Sequence, residues 1–230
     1  MAQPPGPRRR LPHQLPAGRH GLSRTFVEAN QRERILGAVA ETVMDMGYVA
    51  TAVEDIIATA GVSRRTFYNL YRNKEEAFLA AYDDGVTRLF EAVEIAYGKG
   101  ETWRERARNG LRAFLESLAM APELAHLSIV DVLAAGPAAL EKRDAAMQRF
   151  AEMMEDGRAA AGDDVAVPRM ASEIVVGGIH EVIYSRMLRN ETASLPALLP
   201  ELTYSMLLPF VGQPAAFEEY ETLRGQTARA

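Results

Sequence analysis

The chain has 230 residues, 48% apolar and 25% charged, with no cysteine and a net charge of −5. That length and balance fit one large or two small folded domains and exclude a disordered or fibrous chain. The absence of thiols excludes disulfides, cysteine nucleophiles and cysteine metal sites, no apolar run approaches the roughly 20 residues of a membrane span, and residues 1–24 lack the apolar core of a secretory leader, so a cytoplasmic location is expected.

Charge is unevenly spread. Residues 1–78 carry 11 Lys/Arg against 8 Asp/Glu, a net +3, and the remainder carries −8. The N-terminal third is therefore the part suited to a polyanion. Residues 1–27 read as a disordered basic arm: Arg8, Arg9, Arg10, Arg19 and Arg24 precede the first acid, and Pro4, Pro5, Pro7, Pro12 and Pro16 bar a helix. An inert extension and a polyanion-binding tail are both open to it.

From Glu28 the pattern turns helical, with Ile35, Leu36, Val39, Ala40 and Val43 at three- and four-residue steps, and Gly47 ends the run. Thr51 and Glu54 have the spacing of a capping box before a short helix carrying Val53, Ile56, Ile57 and Ala60. Gly61 stops that helix, and Ser63 caps another with Phe67 and Leu70. Asn73 then heads a long helix to about Tyr97, with Glu75 and Glu76 in its first turn. Further helices are predicted over about 102–120, 122–134, 137–160, 168–190 and 196–211, separated by Pro122, Gly136-Pro137, Gly162 to Pro168, and Asn190 to Pro196. Residues 215–225 have room for one more short helix. The fold class is all-α, with about nine or ten helices.

Two short helices either side of Gly61-Val62 form a helix-turn-helix over 51–70. Such a pair holds its second helix outward, at a width that fits the DNA major groove. Arg64 and Arg65 suit guanine edges or phosphates, Thr66 a thymine methyl, Asn69 an adenine edge, and Tyr68 a phosphate. Lys74 and Thr51 are candidate phosphate clamps at helix starts, with Ser63 beside them. Each alone could be a solvated polar residue or a cap; the whole set at this spacing points to duplex DNA.

The same residues carry a family resemblance. Residues 28–88 resemble the DNA-binding domain of the TetR family of bacterial regulators, through Arg34-Ile35-Leu36, Gly47-Tyr48, Thr51-Ala52-Val53-Glu54-Asp55-Ile56, Ala60-Gly61-Val62-Ser63, Thr66-Phe67-Tyr68, Tyr71 and Lys74-Glu75-Glu76. The resemblance implies a three-helix head with phosphate contacts at Tyr68 and Lys74. Arg65, Leu70 and Tyr71 depart from the commonest residues of the family, which bears on the operator sequence rather than on the binding mode.

The resemblance also implies that residues 89–213 form a helical effector-binding and dimerisation domain, with 214–230 a C-terminal tail. Its last two long helices would pair with their twofold mates through Ala171, Gly178, Leu199, Leu202, Met206 and Phe210. Candidate effector-pocket residues are Trp103, Phe114, Leu118, Met120, His126, Met147, Phe150, Met154, Ile179, His180 and Ile183, any of which could instead be ordinary core. No metal-ligand spacing, phosphate loop or nucleophile elbow is present, so neither a cofactor, a metal nor an enzyme is expected. The resulting reading is a DNA-binding transcriptional regulator: a homodimeric repressor, released from a double-stranded operator by a small, largely apolar effector, with no membrane partner. The alternative is a helical protein-interaction module whose helix-turn-helix is purely structural.

Overall fold

The computed structural model describes residues 23–161 and 166–227, with nine α-helices, two 3-10 turns and no strand among them. The all-α fold class therefore holds. Residues 1–22 of the predicted basic arm lie outside the described residues, and the first helix starts inside the remainder of that arm. Helix α1 (Arg24–Met46) is capped by Ser23, whose hydroxyl accepts from the Phe26 amide at 3.2 Å, and ends at Gly47 with φ 79°. Helices α2 (Val53–Ala60) and α3 (Arg64–Leu70) form the predicted pair, and α4 (Lys74–Tyr97) follows.

The predicted cap of α2 is one residue out. Ala52 occupies the cap position, and its amide donates to the Asp55 carboxylate at 2.9 Å. Thr51 is buried and its hydroxyl donates to the Gly47 carbonyl at 2.9 Å. The tight turn after Gly47 brings that carbonyl within reach, and a buried hydroxyl takes the partner at hand.

The rest comprises α5 (Trp103–Met120), α6 (Pro122–Ile129), a 3-10 turn (Asp131–Ala134), α7 (Pro137–Ala160), α8 (Ala171–Met187), a second 3-10 turn (Thr192–Leu198) and α9 (Leu199–Thr227). The predicted helix at 196–211 and the helix expected within 215–225 join in α9. Gly212, φ 74°, breaks it, and Pro214 restarts it, where a missing amide costs nothing. The last turns lie along α5: Ala216 and Leu223 are buried, and Arg108 pairs with Glu219 at 2.8 Å. The stretch Thr192–Gln226 is long and apolar enough to cross a membrane by composition alone. Its Leu195, Leu207 and Phe210 are instead in the protein core.

There are two cores. The head core contains Ile35, Val39, Ile56, Phe67 and Phe78, and it reaches forward to Leu127, Val132 and Ala139. The second core contains Trp103, Leu115, Ile183, Leu195 and Phe210. Helix α4 serves both. Its Ala77, Phe78 and Ala81 close the head, while Phe90 stacks on Phe150 of α7 with ring centroids 4.4 Å apart. The head is thus joined to the larger domain by a continuous helix and by packed side chains on α6.

Five of the six predicted dimer residues need correction. Ala171, Leu199, Leu202, Met206 and Phe210 are all buried within the protomer. Their apolar stripe faces α5 and the second core, because α9 and the start of α8 have an intramolecular partner for it. Gly178 alone of that set is exposed.

Candidate functional site

Helix α3 has seven residues, too short to hold itself. Its shape comes from its ends and from one anchor. The Ser63 hydroxyl accepts from the Thr66 amide at 3.0 Å and lies 2.8 Å from the Thr66 hydroxyl. Phe67 is fully buried. Gly61 takes the left-handed conformation (φ 60°, ψ 34°) that reverses the chain between α2 and α3. Arg34 of α1 donates to the carbonyls of Ala60 and Gly61, the latter at 2.7 Å, and so ties off the open end of α2.

With Phe67 pointing inward, Ser63, Arg64, Arg65, Tyr68 and Asn69 are exposed and Thr66 is half-buried. Arg64 is paired with Glu54 of α2 and stands 6.0 Å from the Tyr68 ring centroid. Arg65 has no ion-pair partner among the described residues, which leaves it the most available cation on this face. Two candidate clamps are placed otherwise. Thr51 is buried, as above. Lys74 donates to the carbonyls of Tyr48 and Thr51, both at 2.7 Å, and its ammonium lies 4.3 Å from the Tyr48 ring centroid. Burial lowers its pKa. Lys74 therefore staples the start of α4 to the turn between α1 and α2, because two unpaired carbonyls converge there.

A second feature lies in the larger domain. An apolar cavity of about 100 Å³, open at its mouth, sits among α4, α5, α7 and α8. Phe114, Met147, Phe150, Met154, Ile179 and His180 line it, as the sequence suggested. The other five candidates do not. Trp103, Leu118 and Ile183 are buried in the core away from the cavity, and Met120 is 84% exposed. His126 faces Asp131, with its Nδ1 on the carboxylate. Sequence reasoning missed the α4 wall of Tyr82, Val86, Leu89, Val93 and Tyr97. Their four- and three-residue spacing was a legible signal: an apolar stripe that continues beyond the head's own core needs a second partner. It also missed Arg143, whose charge disguises it as surface.

Few residues with polar side-chain groups line the cavity: Tyr82, Tyr97, Ser128, Arg143 and His180, and the Tyr97 hydroxyl donates to the carboxylate of Asp156 at 2.8 Å. The Ser128 hydroxyl is satisfied by the Leu124 carbonyl at 2.7 Å. Burial pushes the Tyr82 phenol up to about 12. Burial, and then the nearby Arg143 charge, pushes His180 down from 6.5 to about 4. A histidine held neutral stabilises the fold fully above its unfolded pKa near 6.5, and that stability is lost as pH falls through about 4. Between pH 7 and 4.5 the wild type is expected to lose about 1–2 kcal/mol more than H180F, after allowance for solvent screening. Urea unfolding of both proteins at the two pH values checks this; parallel losses would contradict it.

Residues 35–81 match the profile of the family described as bacterial regulatory proteins, tetR family. The chain is 30% identical over 101 residues to the HTH-type transcriptional activator FasR of Mycolicibacterium smegmatis, a match spanning 44% of this chain and 46% of FasR. It is 21% identical over 173 residues to the fatty acid metabolism regulator protein of Bacillus subtilis, covering 72% and 88% of the two chains. Its fold is similar to the crystal structure of the regulator FadR from Bacillus subtilis in complex with stearoyl-CoA, with a TM-score of 0.67 at 18% identity over 78% of this chain and 98% of that one.

Proposed function

We propose that this chain, which belongs to the TetR family of bacterial regulators, is a one-component transcriptional regulator whose DNA affinity is lowered by a long, largely apolar effector. The carrying observation is that the cavity and the DNA-reading head share a helix: Tyr82 of α4 lines the cavity and belongs to the head core. A ligand that wedges α4 away from α7 moves the head as a rigid piece, since packed cores shift between arrangements rather than stretch. The fatty acid name of the Bacillus subtilis relative, and the stearoyl-CoA in one neighbouring structure, support an acyl chain as the effector class.

The protein works as a homodimer in this reading, because a helix-turn-helix reads two half-sites about 34–36 Å apart. The surface suited to a second copy is not the stripe expected from sequence. It is the exposed face of α8 carrying Ile174 (65% exposed), Gly178 and Val182 (37% exposed) at four-residue steps. These apolar groups have no covering element within the described residues.

Fluorescence anisotropy on a duplex from the chain's own upstream region tests the function. Wild-type protein is expected to prefer that duplex over bulk DNA at matched salt, with two chains per site by sedimentation. R65A is expected to lower specific affinity about tenfold and to relax sequence preference, as the loss of a base-edge contact does. Dodecanoate or dodecanoyl-CoA is expected to weaken the complex. No preference for the upstream duplex in the wild type would sink the reading.

A further inference from the structure

The cavity is lined mostly by apolar side chains, and among its few polar ones Arg143 lies near enough to His180 for its charge to act on the imidazole. The Arg143 Nε and the His180 Nε2 are both buried, and neither has a hydrogen-bond partner among the described residues. A native interior seldom leaves two polar nitrogens unpaired. Arg143 Nη1 donates to the carboxylate of Asp144 at 3.1 Å, and Asp144 does not line the cavity. The imidazole stays neutral at physiological pH, so it can carry its proton on Nε2 and act as a donor. Two unpaired buried donors thus line a largely apolar cavity.

We infer that Arg143 and His180 together bind the acceptor oxygens at the head of an alkyl-chain ligand, a carboxylate or the carbonyl of its ester or thioester, while the tail lies along α4 and α5. This rests on the reading of the cavity as the effector site and assigns its polar pole. A guanidinium edge and an imidazole N–H match an oxygen-bearing head group and have nothing to offer a hydrocarbon. The neighbouring cleft between α7 and α8 shares Met147 and Val176 with the cavity. It is lined by Asp144, Glu152, Glu155 and Glu173 against Arg158 and Arg169. Arg158 is already engaged by Glu155 and the Val167 carbonyl. That cleft repels a polyphosphate tail, so the unesterified acid is the better fit of the two sources.

Isothermal titration of the full chain with dodecanoate, 1-dodecanol and dodecanoyl-CoA, below their micellar concentrations, separates the possibilities. Dodecanoate is expected to bind wild type at least about tenfold more tightly than 1-dodecanol, the worth of a charge-assisted hydrogen bond. R143M and H180L are each expected to remove most of that difference while leaving 1-dodecanol within about twofold. R143K, which keeps the charge but lacks the guanidinium edge, is expected to recover only part of it. If dodecanoyl-CoA binds more tightly than dodecanoate and R143M weakens both alike, the two nitrogens recognise the carbonyl and the thioester is the source. Equal affinity for dodecanoate and 1-dodecanol in wild type, or carboxylate binding untouched by R143M, overturns the inference and leaves the cavity as an effector site. Failure of all three ligands to bind removes the effector reading itself, and this inference with it. Thermal melts of each variant without ligand identify any loss caused by misfolding, and H180L supplies an independent arm if R143M does not fold.

Discussion

Replacing Phe67 by alanine is expected to cost about 3–5 kcal/mol of stability and to abolish DNA binding to every sequence. The ring is fully buried in the head core. Its centroid lies 5.4 Å from the Tyr68 ring, edge-on, and 5.8 Å from the Tyr71 ring. A seven-residue helix supplies little stability of its own, so this one side chain sets how α3 leans on α1 and α2. Truncation removes the buried area and leaves a hole that neighbouring helices cannot fill. The loss is a large share of the roughly 5–15 kcal/mol that holds a domain together. Urea unfolding and anisotropy with both specific and bulk duplexes check the prediction. F67A should fail on both, whereas R65A should lose mainly the preference. Unchanged unfolding of F67A would mean that α3 is not anchored through this ring.

Gly157→Val is expected to destabilise the larger domain by about 3 kcal/mol or more, and Gly157→Ala by less. Gly157 is on α7, where the Trp103 ring of α5 lies against its Cα. A Cβ placed there meets ring atoms Cζ2, Cε2 and Cη2 at 2.3, 2.6 and 2.6 Å. Indole is rigid, and this ring is backed by Phe210 with centroids 5.0 Å apart, so it cannot swing aside cheaply. Two effects oppose each other in the alanine variant. Better helix propensity returns up to about 1 kcal/mol. The clash costs about 1–3 kcal/mol and prevails. Valine adds two methyls to the clash and loses part of the propensity gain. Thermal unfolding of the three proteins checks the ranking. Gly157→Ala as stable as wild type would show that the ring has room to move.

Local chemistry explains why the head was readable and the cavity only half so. Gly47, Gly61, Ser63 and Asn73 act within four residues of themselves, as stops and caps, and α1 to α4 follow from them. Phe67 could be assigned to the core because a period of 3.6 separates one buried ring from exposed Arg65, Tyr68 and Asn69. Lys74 could not be assigned. Its position suits a phosphate, but the carbonyls of Tyr48 and Thr51 converge on it from 26 and 23 residues away. Thr51 was lost to a nearer partner, the Gly47 carbonyl four residues back, which the turn brings within reach. On α9, composition marked Leu199, Leu202, Met206 and Phe210 as a stripe to be covered without saying by what. Helix α5 and the second core of the same protomer do so.

The amino-acid sequence by itself determined the helices, their order, the outward turn at Gly61 and the exposed set Arg64, Arg65, Tyr68 and Asn69. Those depend on dihedral preference, capping and periodicity, which act over one or two turns. Only the tertiary structure decided that α4 is shared between two cores, that Arg143 and His180 line the same cavity, and that Ile174, Gly178 and Val182 rather than the α9 stripe are left uncovered. Each of those facts is a pairing between helices distant in the chain, chosen by how side-chain volumes and unpaired polar groups fit together, and periodicity within one helix carries no record of its partner.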